Sequence, residues 1–205
     1  MILCDIGNTT LDFFEDGKKS KVVVSSYDPS AQKEQIFYIC VNEEFSQKLQ
    51  TLENWVDLEK YIDRSRYYET MGIDRIAACE AVQNGVIIDA GSAITVDVVR
   101  NGEFLGGYIT LGLHVSQKAY KELSSRLDYS YNFEIDLDKM PRNSQDALTY
   151  GQIGVLYRDV MCYKLPIYLT GGDAQKLKSV FKEVLLDEDL LFKGMKNIMK
   201  KANLC

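Results

Sequence analysis

The sequence predicts an α/β protein of two related halves that face each other across a cleft. Short apolar strands alternate with helical segments along the 205 residues, and one pattern of strand, Asp-x-Gly turn, strand and hairpin occurs twice. The two copies begin at residues 5 and 89, a separation too long for a solenoid repeat. A duplicated domain is therefore the favoured interpretation.

The first copy of the pattern opens the chain. Residues 1–6 form an apolar strand that contains Asp5, and a turn follows at Gly7. Asp16 and Gly17 are a typical hairpin signal. The elements predicted for this half, residues 1–83, are strands at 1–6, 10–14, 21–24 and 36–41 and helices at 43–52, 58–66 and 74–81.

The second copy opens the other half, residues 84–205. A strand over residues 86–88 leads into Asp89, and Gly91 and Ser92 form the turn that follows. The dipeptide Asn101-Gly102 marks the hairpin. The further elements predicted here are strands at 95–99, 107–111 and 166–169 and helices at 116–127, 144–163, 174–185 and 192–201, the last a solvated lysine-rich face.

Composition excludes several classes of protein. The chain is 46% apolar and 26% charged, as in ordinary globular domains, and has no apolar run of the roughly 18 residues that a membrane-spanning helix needs. The net charge of −6 without a Lys/Arg cluster disfavours nucleic acid and anionic membranes as partners. We expect no signal peptide, and five scattered cysteines predict free thiols in a reducing cytoplasm. With His114 as the single histidine, a carboxylate is the expected general base.

The two Asp-x-Gly turns predict a phosphate site. Backbone amides in a narrow turn such as Gly7, Asn8 and Thr9 can point at an anion, and two such turns would grip a nucleotide triphosphate from both sides. Asp5 and Asp89 are placed to hold a hydrated cation near those phosphates, an arrangement that Mg²⁺ prefers.

A third glycine motif follows the short strand at residues 166–169. Gly171 and Gly172 would let a flat ligand lie directly on the backbone, and a helix predicted to begin at about Asp173 favours negative charge nearby. Two phosphate turns followed by a Gly-Gly loop suggest that this loop holds the adenosine of ATP.

These motifs together resemble type III pantothenate kinase. The resemblance is carried by Asp5-x-Gly7-Asn8-Thr9, Gly72-Ile73-Asp74-Arg75, Asp89-x-Gly91-Ser92-Ala93-x-Thr95-x-Asp97, Gly106-Gly107, Gly112 and Gly171-Gly172-Asp173-Ala174, from residue 5 to about 174. The resemblance implies two ribonuclease-H-like domains of the actin-like ATPase fold and ATP-dependent phosphorylation of pantothenate, the first step of coenzyme A synthesis. It also implies a homodimer and a monovalent cation, K⁺ or NH₄⁺, besides Mg²⁺.

The resemblance assigns roles residue by residue. Asp74 would accept the proton of the substrate hydroxyl, and Asp89 would hold K⁺, with Asp5 a candidate for Mg²⁺. Pantothenate would contact Tyr68, Gly72, Ile73, Asp74, Arg75 and Ser144. The residues for ATP would be Asp5, Ile6, Gly7, Asn8, Thr9, Thr10, Leu11, Asp12 and Ser92, joined by Gly171 and Gly172.

The chain departs from the family in a few places. Ser92 and Ser144 stand where the family usually has threonine, and both keep the hydroxyl. The segment before Gly72 is shortened, so either Tyr67 or Tyr68 lines the pocket, with Tyr68 preferred. The aromatic stretch of Tyr129, Tyr131 and Phe133 suggests an exposed patch for the second copy of a dimer.

Asp74 and Arg75 also support a kinase on chemical grounds. An alcohol that attacks a γ-phosphorus needs a proton acceptor, and guanidinium offers a planar fork for a carboxylate or for phosphoryl charge. The alternative is that Asp74 caps the helix that follows. Two other functions remain open: a superfamily kinase for a sugar or carboxylate, and a non-catalytic nucleotide-binding regulator.

Overall fold

The computed structural model describes residues 1–181 and 183–204 and divides into two compact units. The first unit comprises Met1–Val82 together with Asp189–Cys205, and the second comprises Gln83–Glu188. Each unit contains one five-stranded mixed sheet with helices packed on it. The predicted two-domain α/β fold class is confirmed.

The sheet of the first unit has the strand order β3-β2-β1-β4-β5. Its central strand β1 runs antiparallel to β2 and parallel to β4, so the chain crosses over between β3 and β4. The hairpin between β2 and β3 has positive φ at Asp16 and Gly17, as the sequence predicts. The strands are β1 Ile2–Ile6, β2 Thr10–Glu15, β3 Lys18–Val23, β4 Ile36–Cys40 and β5 Trp55–Asp57.

The sheet of the second unit repeats this topology. Its order is β10-β9-β6-β7-β8, in which β6 runs antiparallel to β7 and parallel to β9, and the hairpin has positive φ at Asn101 and Gly102. Strands β6 to β10 therefore correspond one by one to β1 to β5. The strands are β6 Gly85–Ala90, β7 Ala93–Arg100, β8 Glu103–Leu111, β9 Ile167–Thr170 and β10 Val184–Leu186.

Helices connect and cover the sheets. A π-helical turn, Tyr150–Gly154, joins α4 to α5 within the segment predicted as one long helix. None of the helices in the described residues combines the length and the apolar character that crossing a bilayer requires. The helices are α1 Glu43–Leu49, α2 Ile73–Glu80, α3 Leu113–Leu123, α4 Ser144–Thr149, α5 Val155–Cys162, α6 Ala174–Leu177 and α7 Leu190–Lys201.

Each sheet buries one face in a core of its own. In the first unit Ile2, Cys4 and Ile6 of β1 point into a cluster that α1 closes with Phe45 and Leu49. In the second unit the equivalent alternate residues of β6, Val86, Ile88 and Ala90, lie in a cluster with α5 and α6. The alternation places Asp5 and Asp89 on the opposite face of their strands.

Two predicted helices differ from the structure. Residues 58–66 form two short 3₁₀ turns, because Asp57 and Asp63 each accept a hydrogen bond from the backbone amide two residues on, at 2.9 and 3.0 Å. Helix α6 ends at Leu177, and Val184–Leu186 pairs with β9 instead of continuing a helix to residue 185. Sheet pairing overrides the local helical spacing there.

The last helix lies in the first unit, whereas the predicted division placed residues 84–205 together. Helix α7 was predicted as a solvated lysine-rich face, but it buries an apolar stripe against the first unit. Its Phe192 stacks on Phe14 of β2, with ring centroids 5.1 Å apart. The buried residues of α7 are Leu190, Phe192, Gly194, Met195, Ile198 and Met199.

The aromatic stretch proposed as an exposed patch is largely internal. Tyr131 is buried, and its hydroxyl donates to Ser116 Oγ at 2.7 Å. Phe133 packs against the core of the second unit, and only Tyr129 is exposed. This expectation was wrong because the stretch lies across α3 and α4, where its rings find apolar neighbours within the same chain.

Candidate active site

The first Asp-x-Gly turn joins β1 to β2 and is held from several sides. Gly7 N–H donates to Thr10 O at 2.9 Å, so this amide closes the turn and does not point at a ligand as predicted. Asn42 Nδ2 donates to Asn8 O at 3.3 Å. Within the described residues the amides of Asn8 and Thr9 have no acceptor, and both residues are exposed. These two amides therefore remain the candidates for a phosphate.

Two carboxylates lie beside that turn. Asp5 of β1 is directly opposite Asp12 of β2 in the antiparallel register. Asp12 accepts a hydrogen bond from Thr10 Oγ1 at 3.2 Å and pairs with Lys21 Nζ at 3.1 Å. This oxygen-rich pair fits Mg²⁺ carried by ATP, because Mg²⁺ takes most of its ligands from phosphate oxygens and water and needs only one or two carboxylates.

Thiol chemistry is disfavoured at this turn. Burial, followed by the charges of Asp5 and Asp12, raises the pKa of the Cys4 thiol far above its ordinary range. Burial also raises the pKa of Cys40 to about 11. Both thiols therefore stay protonated at neutral pH and behave as small apolar side chains rather than nucleophiles.

The second Asp-x-Gly turn is one residue shorter but is closed in a similar way. Gly91 N–H donates to Ala93 O at 2.9 Å, the counterpart of the bond that closes the first turn. Gly112 N–H, at the start of α3, donates to Ser92 O at 3.1 Å and anchors the turn from outside. Ser92 itself is exposed, so its hydroxyl is accessible to a ligand.

Asp89 lies against the Gly-Gly loop that follows β9. Gly171 has φ +88°, and a Cβ there would stand 2.3 Å from Asp89 Oδ1 and 2.6 Å from Ala90 O, so only glycine fits. Asp173 N–H donates to Ala90 O at 2.8 Å and ties the loop to β6. The carboxylate of Asp89 and the carbonyl of Ala90 are the hard oxygen atoms at this loop that could hold a cation.

Gly172 is the open position of this loop. No atom lies within 4 Å of a Cβ built there, so its backbone presents a flat accessible surface. Helix α6 begins only at Ala174 and has four residues, so the helix-terminus contribution expected near Asp173 is small. The loop suits the flat face of a base through backbone contact.

The Gly-x-Asp-Arg motif begins α2 in the first unit. Gly72 is the N-cap, and Asp74 is the second helical residue, whose Oδ1 accepts from Arg75 N at 2.8 Å. Asp74 therefore does not occupy the N-cap position considered for it. Arg75 is 6% exposed, its guanidinium donates to the Tyr68 hydroxyl, and its Cζ lies 5.7 Å from that ring centroid.

The two candidate tyrosines have different surroundings. Tyr68 is 42% exposed beside Arg75, while Tyr67 is buried and its hydroxyl donates to Glu80 Oε1 at 2.8 Å. Burial first, and then the hydrogen bond to Glu80, raise the pKa of Tyr67 far above its ordinary range. Tyr68 is thus the one that can contact a ligand.

The predicted site residues fall into three groups. The first unit holds the turn of residues 5–12 and, separately, Tyr68 with Gly72, Ile73, Asp74 and Arg75. In the second unit the loop of Gly171 and Gly172 lies against Asp89, and Ser92 follows in the turn after β6. Ser144 also lies in that unit, exposed at the first position of α4, next to the N-cap Asn143, whose Oδ1 accepts from Asp146 N at 2.8 Å.

Sequence reasoning missed the residue that ends α2. Glu80 has a side chain only 5% exposed, and its carboxylate contacts Arg66, Tyr67 and Lys201. Burial alone would raise its pKa, but hydrogen bonds from Lys201 and Tyr67 and the charges of Lys201 and Arg66 outweigh it and lower the pKa. No local pattern could reveal Glu80, because Lys201 is 121 residues away in sequence.

Two sheets of matching topology, each with an Asp-x-Gly turn after its central strand, define the class of protein: a two-domain α/β protein with one five-stranded mixed sheet of the same order in each half. A family model for type III pantothenate kinase matches residues 7–161. The type III pantothenate kinase of Sulfurimonas denitrificans is 56% identical over 205 residues, covering 100% of both chains. That of Campylobacter jejuni serotype O:2 is 40% identical and covers 98% of this chain and 97% of its own.

Solved structures agree with the fold. A crystal structure of a conserved Campylobacter jejuni protein, described as a candidate Baf family transcriptional activator, has a TM-score of 0.87 at 37% identity and covers 100% of both chains. A Listeria monocytogenes protein described as a candidate N-acetylmannosamine kinase has a TM-score of 0.51 at 11% identity, with 98% and 99% coverage, and shows the fold alone. The chain belongs to the type III pantothenate kinase family. The predicted family and enzyme class are confirmed.

Proposed function

We propose that this chain transfers the γ-phosphoryl group of ATP to the primary hydroxyl of pantothenate and forms 4′-phosphopantothenate, at the start of coenzyme A synthesis. Family membership supports the reaction. The observation that carries the site is the group at the start of α2, where a carboxylate, a nearly buried guanidinium and an exposed phenol lie together.

Each member of that group has a distinct task in the proposal. Asp74 accepts the proton that the pantothenate hydroxyl loses as its oxygen bonds to the γ-phosphorus and the bond from that phosphorus to ADP breaks. Arg75 is fixed by Tyr68 and binds the pantothenate carboxylate with its planar fork. The exposed Tyr68 ring covers the apolar part of the substrate, and Ser144 adds a hydroxyl contact.

The phosphate turns hold ATP in this proposal. The amides of Asn8 and Thr9 bind phosphate oxygens, and the Ser92 hydroxyl binds another. Gly171 and Gly172 receive the adenosine. Asp5 would hold Mg²⁺ and Asp89 would hold K⁺ or NH₄⁺, and these cations would supply positive charge that offsets the phosphates.

We also propose a homodimer that works in the cytoplasm. Support for self-association comes from strand β8, the edge of its sheet, whose outward residues Leu105, Ile109 and Leu111 are 56%, 61% and 51% exposed. Contiguous exposed apolar side chains of this kind are typical of a surface covered by a partner.

The decisive variant is Asp74→Asn. Asparagine keeps the oxygen that accepts from Arg75 N–H but removes the base, so kcat with pantothenate should fall by about 10²–10⁴-fold. A loose transition state in which the proton leaves late places the loss toward the smaller end. ATP affinity and the thermal midpoint should remain those of the wild type, because the turns at Gly7 and Gly91 are unchanged.

The matched control is Glu69→Gln, which removes an exposed carboxylate five residues earlier in the same segment. It should turn over like the wild type. Near-normal kcat in Asp74→Asn would place the base elsewhere. The assay is run with K⁺ and Mg²⁺ and with sugars and acetate as competing acceptors, so that faster phosphorylation of one of those would replace pantothenate as the substrate.

A further inference from the structure

The eight-residue helix α2 is held almost entirely inside the first unit. Seven of its residues are buried, and the partly exposed exception is Asp74, at the end that carries the proposed base. Because packed interiors have little free volume, a displacement at either end of such a short helix is carried to the other end. The contacts that hold α2 therefore set where Asp74 and Arg75 lie.

Helix α7 is the main element that packs on α2. Gly194 of α7 lies directly on the α2 backbone, since a Cβ at this position would stand 1.7 Å from Ala77 O. Further along α7, Asn197 Nδ2 donates to Glu80 O at 3.0 Å. The C-terminal helix thus contacts the middle and the end of α2 through main-chain atoms, which fixes both the spacing and the register of the two helices.

The Glu80 side chain gathers the remaining contacts. Its Oε1 accepts from Arg66 Nη1 and from the Tyr67 hydroxyl, both at 2.8 Å, and its Oε2 pairs with Lys201 at the end of α7. We call Glu80, Arg66, Tyr67 and Lys201 the Glu80 clamp. A carboxylate with a side chain only 5% exposed needs such partners, because an unpaired buried charge is strongly destabilising.

The clamp reaches the proposed pantothenate pocket by two routes. Through Glu80 it fixes the end of α2, whose first turn carries Asp74 and Arg75. Through Arg66 and Tyr67 it fixes the chain immediately before Tyr68, whose hydroxyl accepts from Arg75. Both routes meet at the Tyr68–Arg75 contact.

We propose that Lys201 and Glu80 are positioning residues for the acceptor site, and that the C-terminal helix α7 sets the geometry of Asp74, Arg75 and Tyr68 through the Glu80 clamp. None of the clamp residues is proposed to touch substrate. The inference rests on the proposed function for its kinetic consequence. The contacts on which it stands are independent of the substrate.

The test is Lys201→Met in the full-length chain, compared with Lys200→Met. Both variants remove one exposed lysine from the same end of α7, and of the two lysines Lys201 is the one that pairs with Glu80. For Lys201→Met the KM for pantothenate should rise about fivefold or more, the scale of effects transmitted through packed networks. The KM for ATP should stay within about twofold, since the phosphate turns lie outside the clamp.

Rescue and hydrogen exchange separate positioning from general loss of structure. Lys201→Arg keeps the positive charge and should restore a KM near the wild-type value. In Lys201→Met, amide hydrogen exchange should increase in peptides covering residues 66–80, and in Lys200→Met it should not. If Lys201→Met does not fold, Tyr67→Phe removes one hydrogen bond of the clamp and should give a smaller change in the same direction.

Three results would overturn the inference. The first is an equal KM for pantothenate in Lys201→Met and Lys200→Met. The second is a change in Lys201→Met that affects kcat, the KM for pantothenate and the KM for ATP in proportion. The third is unchanged hydrogen exchange over residues 66–80 in Lys201→Met. If the wild type phosphorylates another acceptor, the proposed substrate is wrong, and the same comparison made with that acceptor still decides the positioning role.

Discussion

Glu80 illustrates how one residue can join distant parts of this chain. Its carboxylate is nearly inaccessible to water, yet it stays charged because two cations and a phenol surround it. Such a group is weak evidence of net stabilisation relative to an apolar core, but removing one partner from it is costly. Its value lies in specifying a single arrangement of α2, α7 and the segment before Tyr68.

The charge state of Glu80 predicts a pH dependence of stability. The folded protein holds the pKa of Glu80 below its ordinary value of about 4.3, so the clamp contributes fully above that pH and is lost as pH falls through the lower folded pKa. Glu80→Gln should lower the free energy of unfolding at pH 7 by about 1.5–3 kcal/mol, because charge-assisted hydrogen bonds are lost while the partly exposed Lys201 and Arg66 regain contact with water.

Urea denaturation of the wild type and of Glu80→Gln between pH 7 and pH 3 measures the difference in their free energies of unfolding. The difference between them should be constant above about pH 5 and shrink below about pH 4. Glu44→Gln is the control, because its pair with Lys48 is exposed and should contribute little at any pH. A Glu80→Gln difference that grows on acidification would show that the carboxylate is not stabilised in its charged form.

At the scale of elements, the sequence predicted what local patterns encode. The Asp-x-Gly turns, both hairpins and the strands around them follow from alternation and from turn residues such as Asp16-Gly17 and Asn101-Gly102. The spacing of apolar residues predicted both ends of helix α2 to within one residue. These elements are specified by residues adjacent in sequence, so a single chain carries enough information to place them.

What could not be predicted depends on partners far along the chain. Strand β10 forms because β9 offers it a parallel edge, although residues 174–185 have helical spacing. Helix α7 joins the first unit because Gly194 fits against Ala77, a match of shape that no local pattern records. The Glu80 clamp could not be predicted either, because its residues are far apart in sequence. The Gly-x-Asp-Arg motif was identified because its residues are consecutive.

The loop after β9 gives a prediction at this scale. Gly171→Ala places a side chain at φ +88° and within 2.3 Å of Asp89 Oδ1, so the loop must move away from β6. Backbone strain alone should cost about 1–3 kcal/mol, which a lower thermal midpoint would register. ATP affinity should fall too, because Gly172 moves with the loop away from Asp89.

Gly172→Ala is the matched control for stability. It adds the same methyl group one residue later, where no atom lies within 4 Å and φ is not in the left-handed region. Its thermal midpoint should remain close to that of the wild type. Equal thermal midpoints for the two variants would mean that the loop accommodates a side chain at Gly171 and that the contact with Asp89 is not a constraint.

At the scale of the whole molecule, the two sheets share a topology but treat their edges differently. Strand β3, at the edge of the first sheet, presents Lys18, Lys19 and Lys21, a charged edge that resists pairing with another chain. The corresponding strand β8 alternates exposed and partly buried residues and points Ile109 outward. Duplication has preserved the fold, while the surfaces of the two edges have diverged.

That asymmetry predicts which edge supports the proposed homodimer. Ile109→Lys puts a charge in the centre of the exposed apolar face of β8, where burial against a second copy would be costly, so the variant should be monomeric at micromolar concentration. Its thermal midpoint at low protein concentration should match the wild type, since Ile109 is 61% exposed in the single chain. Light scattering after size exclusion measures the mass.

Val23→Lys is the control for this prediction, because it introduces the same charge at a 54% exposed apolar residue on the equivalent edge strand β3. It should remain a dimer. A wild-type chain that is monomeric at these concentrations would contradict the homodimer, whereas an Ile109→Lys dimer of unchanged mass would leave the dimer intact and move its interface away from β8. The pair of variants thus tests the assembly and its location separately, and both are scored by mass alone because Val23 pairs with Thr10 beside the proposed phosphate turn.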